Sequence, residues 1–436
     1  MSGLNRFLIE DVEVPLVAVL ADLEDAGYRV DVPHFEQLSQ VLETELNEVV
    51  AQLRDHAGAD FNPNSHDQVR TFLFETLKLP PLKETAQRSA STDQETLEAL
   101  KAAHPAVPLL SRFRALTKLH GTYCKVPTQL DDDGRYHPVF DQLGAETGRI
   151  SSKGIIQTIP KHDAYGIRRG FIADPGHQIV AADFVQRELC VLAGVSGDPV
   201  LQQAILNGVD LHGLAAVKVF SLDCAPQDVK AQRPAERDRV KAIQFGIIYG
   251  QSAAGLASTL DLTLDEANQL LDHYFAQFPD VRGFINDVHQ RVCRDGFIDD
   301  LFGRRRYLPD AQLARSRRKN ERMSGSERDL VRRYKAAQRA AQNFVIQGAS
   351  ATITKLAMLR CHRHLCAEHP RIRFLLTLHD ELHFEVPDDE VQHFVSELPD
   401  LMCRLDLERF GFTLPLTAEV KAGPSWGALR PVAPQG

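Results

Sequence analysis

Residues 178–193 read Gln178-Ile-Val-Ala-Ala-Asp183-Phe-Val-Gln-Arg-Glu188-Leu-Cys-Val-Leu-Ala193. The first half is a short apolar run, Ile179 to Ala182, and reads as a strand. The second half, from Gln186, has a helical pattern. Asp183 falls at the joint, where a carboxylate can hold a hard cation at a cleft. The same position also suits an ordinary helix N-cap. Far downstream, Phe374-Leu-Leu-Thr-Leu and Leu382-His-Phe-Glu-Val flank His379-Asp380-Glu381. Turn chemistry alone accounts for an Asp there, yet two strands of one sheet, each delivering an Asp, could clamp two Mg²⁺ about 3.5–4 Å apart. Between Leu189 and Gly348 the pattern is mostly helical, so a sheet interrupted by a large helical insertion is expected, in an α+β architecture.

Inside that insertion, Arg237, Lys241, Phe245 and Tyr249 recur every four residues and end at Gly250. On a helix they share one face and span about 18 Å of axis, with the two cations at the N-terminal end. That order suits a nucleoside triphosphate laid along the helix, phosphates on the cations and sugar and base on the rings. An amphipathic helix with core aromatics and snorkelling cations has the same pattern.

Outside this centre, the first 120 residues read as a helical arm. Pro15 to Ala26 is stopped by Gly27, His34 to His56 is a long amphipathic helix, and Ser65 caps a helix through Leu77. Thr92 with Glu95 makes a capping box, and Lys78 to Ala90 reads as a loop. With 436 residues, two or three core-bearing units are expected. No apolar run is long enough to span a membrane, and the start has no signal or transit pattern. A cytoplasmic setting follows, consistent with seven cysteines that fall in no framework. Cys361, His362, His364 and Cys366 cluster, but Cys-His-x-His-x-Cys matches no common zinc pattern. The net charge of −9 hides an asymmetry: Arg315 to Arg339 carries ten Lys/Arg against three Asp/Glu. This basic segment on an acidic body is a candidate phosphate-facing surface.

The motifs together resemble family A DNA polymerases, the DNA polymerase I type. Asp183-Phe-Val-Gln-Arg-Glu188-Leu is similar to the family's Asp-Tyr-Ser-Gln-x-Glu-Leu, and Arg237-x3-Lys241-x3-Phe245-x3-Tyr249-Gly250 to its fingers helix. His379-Asp380-Glu381 resembles its third motif. Thr147-Gly-Arg149, Asp210-Leu-His212, Gly303-Arg304-Arg305-x-Tyr307 and Arg339-x3-Asn343-x3-Gln347 also match, in the family's order. The resemblance implies a right-hand polymerase with an antiparallel-sheet palm: thumb 1–118, palm 119–196 and 339–436, and fingers 197–338 with a basic insertion at 311–338. It implies that Asp183 and Asp380 bind two Mg²⁺, or Mn²⁺ in substitution, with Glu381 in support. Arg237 and Lys241 would hold the triphosphate, Lys241 serving also as a proton donor to pyrophosphate, and His212 would assist there. Phe245 and Tyr249 would close over the nascent pair, and Glu188 would exclude a ribose 2′-hydroxyl. Arg149, Gln157, Arg339, Asn343, Gln347 and His379 would meet DNA. The implied partners are primer–template DNA and deoxynucleoside triphosphates, bound by a monomer in a bacterial or phage-infected cell, in replication or repair.

Departures from the pattern are Cys190 where Arg is usual, Gln244 where Asn is usual, and a loop after Ser152 that is one residue short and retains Gln157. The insertion is longer than in common members. Few residues precede the thumb, so no proofreading activity is expected of this chain. A single-subunit RNA polymerase, argued against by Glu188 and Phe245, and an inactive DNA-binding homologue are the competing readings.

Overall fold

The structure is a computed structural model and describes residues 6–83, 89–316 and 325–432. Its centre is a five-stranded antiparallel sheet of β1 (His177–Phe184), β2 (Arg373–Leu378), β3 (Glu381–Pro387), β4 (Ala418–Gly423) and β5 (Arg430–Pro431), in the order β5-β4-β1-β3-β2. Ile179 to Ala182 are all buried. That explains the continuous apolar run: a central strand covered on both faces has no reason to alternate. The chain leaves β1 into helices and returns to its neighbour β3 almost 200 residues later, so the strands that matter are joined by register and not by proximity in sequence.

Two helices of the first quarter form where apolar spacing placed them. α1 (Val14–Ala26) follows a π-helical turn at Leu8–Glu13 and stops at Gly27, whose φ of +56° an L-side chain adopts only with strain. α2 (Val32–Ala57) buries Phe35, Leu38, Leu42, Val49 and Leu53 along one stripe and packs on α3 (Ala106–Tyr123). Ser65 caps as expected, accepting from Gln68 N at 3.3 Å. The Thr92–Glu95 capping box is not formed. Asp93 caps the helix Gln94–Ala99 through Thr96 N at 2.9 Å, and Thr92 accepts from Arg114. A carboxylate one residue nearer outcompetes the hydroxyl.

The interruption is mainly helical, with a two-stranded hairpin of Phe297–Asp299 and Arg305–Tyr307, and its helices include α4 (Arg187–Ser196), α5 (Leu211–Phe220), α6 (Pro234–Ile248) and α7 (Pro279–Asp295). The chain then enters α8 (Gly325–Glu368), 44 residues and about 66 Å at 1.5 Å per residue. α8 packs against α1, α4, α7 and α9 (Val391–Cys403), while α1 also lies on β2. The opening helix, read with the arm in sequence, thus covers the sheet. Glu13 fixes it there, accepting from the buried Lys355 at 2.8 and 2.9 Å and from Arg304 at 2.5 Å. Of the basic segment, Arg332 pairs with Asp329 at 2.6 Å and Arg333 with Asp310 at 2.7 Å. Its middle, residues 317–324, lies outside the described residues.

Candidate active site

Asp183 is the second-last residue of β1 and stands opposite Glu381 in the β1–β3 register. Two residues, His379 and Asp380, make the turn between β2 and β3. His379 is left-handed, with φ +56°, a conformation that costs a non-glycine residue about 1–3 kcal/mol. The turn brings Asp380 to the same sheet end as Asp183, and Phe184 N donates to Asp380 O at 3.4 Å. Burial, then the charges of Glu381 and Asp380, push the Asp183 carboxyl from its ordinary 3.8 up to about 7. Glu381 goes the other way. Burial works to raise it, but His383, Lys421 and Arg168 together hold it well below the usual range. Acids pushed apart in this way are the electrostatic mark of a site built for a proton or a cation.

Arg187, in the first turn of α4, was missed in the sequence. It is buried, donates to Thr354 Oγ1 and to Asp380 Oδ1, and lies with its guanidinium 5.0 Å from the Phe184 ring centroid. One Asp380 oxygen is thereby held, and Oδ2 is left to other partners. Cys190, standing where the family pattern has Arg, is buried and its thiol is pushed up to about 12 by that burial. The buried cation near this helix comes from position 187 instead.

A cavity of about 720 Å³ opens on the carboxylates and is lined by Arg149, Gln157, Asp183, Glu188, Phe245, Tyr249, His379, Asp380 and Glu381. Arg149 donates to the buried Glu188. Desolvation raises the Glu188 carboxyl against the pull of Arg149, while burial, followed by Glu188, raises the Tyr249 hydroxyl. Phe245 and Tyr249 are 41% and 44% exposed and stack at 6.2 Å with 21° between planes. His379 is lowered by burial and by Arg149. A depression of similar size, about 740 Å³, lies elsewhere around Asp22, Asp133 and Asp174, but Asp174 there is already matched by Arg29, Arg135 and Arg373.

α6 carries Arg237, Lys241 and Phe245, and Tyr249 caps its C-terminus. Arg237 is docked on Asp210 Oδ2 at 2.9 and 3.1 Å. Asp210 also caps α5 through His212 N and accepts from Gln186 Nε2. Gln186 holds φ +48° at the head of α4 and accepts from Leu211 N at 3.0 Å, so the sheet end and the α5–α6 pair are stitched by one amide. His212 bonds through Nδ1 to Gln244 Oε1; burial lowers its pKa. Gln244, the residue that departs from the family pattern, thus orients His212. Lys241 reaches Asp238, one turn back on its own helix, at 3.4 Å.

Of the other expected residues, Gln157 serves its own loop at the cavity's edge, and the rest lie outside the cavity lining. Gln157 accepts from Ser152 N at 2.9 Å and donates to Ile150 O at 3.2 Å, bracing its own loop. Arg339 packs over Gly250, where a Cβ would come within 3.0 Å of it. Asn343 and Gln347 lie on α8, and the Asn343 amide nitrogen is buried without a hydrogen-bond partner. Of the cysteine–histidine cluster, Cys361 points into the core, Cys366 is exposed, and His362 bonds Asp22 at 2.5 Å, so the four do not converge.

An antiparallel sheet thus presents acids at one end, faced by a helix of cations and rings. The family model for DNA polymerase family A matches residues 32–428, and the chain belongs to that family. It is 36% identical over 431 residues to DNA polymerase I of Chloroflexus aurantiacus, covering 97% of this chain and 43% of that protein. It is 37% identical over 426 residues to the thermostable DNA polymerase I of Thermus aquaticus, covering 96% and 48%. The chain therefore spans a little under half the length of these relatives. The polymerase domain of Pol1 from M. smegmatis, solved in complex with DNA primer-template and dNTP, superposes with a TM-score of 0.84 at 33% identity, covering 97% of this chain and 71% of that one. No helix among the described residues is long and apolar enough to cross a membrane.

Proposed function

We propose that this chain is a template-directed DNA polymerase that extends a primer 3′ end with deoxynucleotides and releases pyrophosphate. The observation that carries the reading is the register of Asp183 against Glu381, with Asp380 at the adjoining turn, in one cavity with Glu188, Phe245 and Tyr249. Asp183 and Asp380 would hold two Mg²⁺, or Mn²⁺ in their place. The donor set fits: hard oxygens, one of them a carboxylate raised by burial and then by neighbouring acids, a penalty that a cation relieves. When bound, such ions neutralise phosphate charge and lower the pKa of a coordinated hydroxyl.

The chain's own residues do the positioning. Arg187 fixes Asp380 and Glu381 supports the pair. Lys241 meets the triphosphate and can donate a proton to the leaving pyrophosphate, with His212 beside it. Arg237 reaches phosphates by exchanging its Asp210 contact. Phe245 and Tyr249 pack on the incoming nucleotide, and Glu188, held by Arg149, occupies the space a ribose 2′-hydroxyl would need. Arg149, Gln157, Arg339, Asn343, Gln347 and His379 face the primer–template. Residues 1–118 act as thumb, 119–196 and 339–436 as palm, and 197–338 as fingers, in a monomer working in the bacterial cytoplasm. Primer extension with Mg²⁺ tests the reading, deoxy- against ribonucleotides, in wild type and Glu188→Ala. Templated deoxynucleotide addition is expected, with ribonucleotides admitted at least about tenfold more readily by the variant. Absence of extension, or ribonucleotide preference in wild type, refutes it.

A further inference from the structure

Near the opposite end of the sheet from the carboxylates, three imidazoles gather on one side chain. His364 Nε2 lies 3.2 Å and His369 Nε2 3.1 Å from Glu397 Oε2, and His393 Nε2 lies 3.3 Å from Glu397 Oε1. The donor atoms of His364, His369 and Glu397 all fall within 4.8 Å of one another, while His393 stands outside that set, against the other Glu397 oxygen. The ligands come from three places. His364 sits near the C-terminus of α8, His369 in the turn before β2, and His393 and Glu397 one helical turn apart on α9. β3 runs away from Glu381 for seven residues before this cluster, about 20 Å at 3.3 Å per residue. It is therefore separate from the site above.

We infer that His364, His369, His393 and Glu397 form a binding site for a transition-metal dication, zinc by preference. Two imidazoles and one carboxylate oxygen already converge, and the exposed His393, one turn before Glu397, reaches the fourth position by a side-chain rotation. Such a nitrogen-rich set is the kind Zn²⁺ takes in tetrahedral geometry, whereas Mg²⁺ and Ca²⁺ prefer all-oxygen sites. The second sphere is also in place. His369 Nδ1 bonds to Glu390 Oε2 at 2.9 Å, the carboxylate–imidazole arrangement that fixes a ligand ring and turns its other nitrogen to the metal. His369 is buried, while His393 is 65% exposed and leaves a path for entry. The sequence drew attention to His364 with the wrong partners. Cys361 and Cys366 point elsewhere, and the true neighbours are 5, 29 and 33 residues downstream. An ion there would tie the end of the long helix to α9, a structural role away from chemistry.

The test uses the intact chain, stripped with chelator, returned to excess Mg²⁺ so that oxygen sites are filled, and titrated with Zn²⁺ under equilibrium dialysis with elemental analysis. One Zn²⁺ per chain is expected, with a rise in thermal midpoint and unchanged primer extension. His364→Ala, His393→Ala and Glu397→Gln should each weaken binding at least tenfold, Glu390→Gln by about tenfold, and Asp380→Ala not at all. Co²⁺ should give a tetrahedral visible spectrum that the same three ligand variants abolish. His393 is exposed, so its variant keeps the result interpretable should the others fold poorly. Failure of wild type to retain Zn²⁺ in Mg²⁺, or retention that His393→Ala and Glu397→Gln leave unchanged, overturns the inference and leaves a histidine–glutamate ion-pair cluster.

Discussion

The acids at the sheet end and the functional face of α6 flank a single cavity, but they are held differently. Asp183, Asp380 and Glu381 are placed by a backbone ladder, a strained turn and the buried Arg187. Lys241, Phe245 and Tyr249 stand partly in solvent on a helix that meets the sheet end through longer-range links such as Arg237–Asp210–Gln186. The first set is preorganised and costly to alter. The second can adjust to what enters. Positions needing fixed charge are built into register, and positions that must meet a changing ligand are carried on helices.

The strongest way to break this contrast is at the acids. Asp183→Ala and Asp380→Ala should each lower single-turnover extension on the order of 10³-fold or more, with primer–template affinity within about threefold of wild type. Near-normal turnover in either variant at saturating Mg²⁺ would remove the sheet end from the chemistry. The adjustable side should fail more gently. Lys241→Ala is expected to cost about 10²-fold in kcat/KM for the nucleotide, and Lys241→Arg to recover part of it. A loss as deep as that of the aspartates would show the helix to be equally rigid in function.

A third measurement sharpens the electrostatics. Asp183 binds its proton better folded than unfolded, because its pKa rises from 3.8 to about 7. In metal-free protein the folded state therefore holds the extra proton between those values. This group's contribution to stability falls as pH rises from 4 to 7, then stays at its least favourable above 7. Asp183→Asn should raise the metal-free thermal midpoint at pH 8 more than at pH 5. An equal change at both would mean that the carboxyl is not raised. Mg²⁺ competes with the same proton, so the rise of extension rate with pH should move to lower pH as Mg²⁺ increases.

The smallest effect is expected from the basic segment. Replacing Ser316 to Arg332 by a short linker should leave chemistry at saturating DNA intact while flattening the salt dependence of binding, by about 0.9 in slope for each duplex phosphate the segment no longer neutralises. Unchanged slope would make the segment an ordinary solvated surface. Lost chemistry would make it a support for the fingers.

Elements governed by local chemistry were legible in the sequence. The apolar runs of β1, β2 and β3, the stripe of α2 and the four-residue spacing on α6 all formed as read. What escaped depends on partners far away in the chain. An apolar stripe says that α1 must be covered, not that β2 and α8 cover it. Arg149 gave no sign in sequence of its partner Glu188, 39 residues away. Arg187 carried no signal, because a lone arginine in a first helical turn is ordinarily exposed. Thr92 and Asp93 show the limit on the local scale, where two adjacent cap residues competed and the charged one won.

α8 has a mechanical consequence. A continuous helix of 44 residues is a stiff rod, and this one starts within the basic segment, carries Asn343 and Gln347 along its length and ends just past His364. Its two ends cannot shift independently without a kink, and no proline interrupts it. A displacement at its first turns should therefore arrive, as tilt, near His364. A spectroscopic label beside His364 could report on events at the other end without touching the cavity.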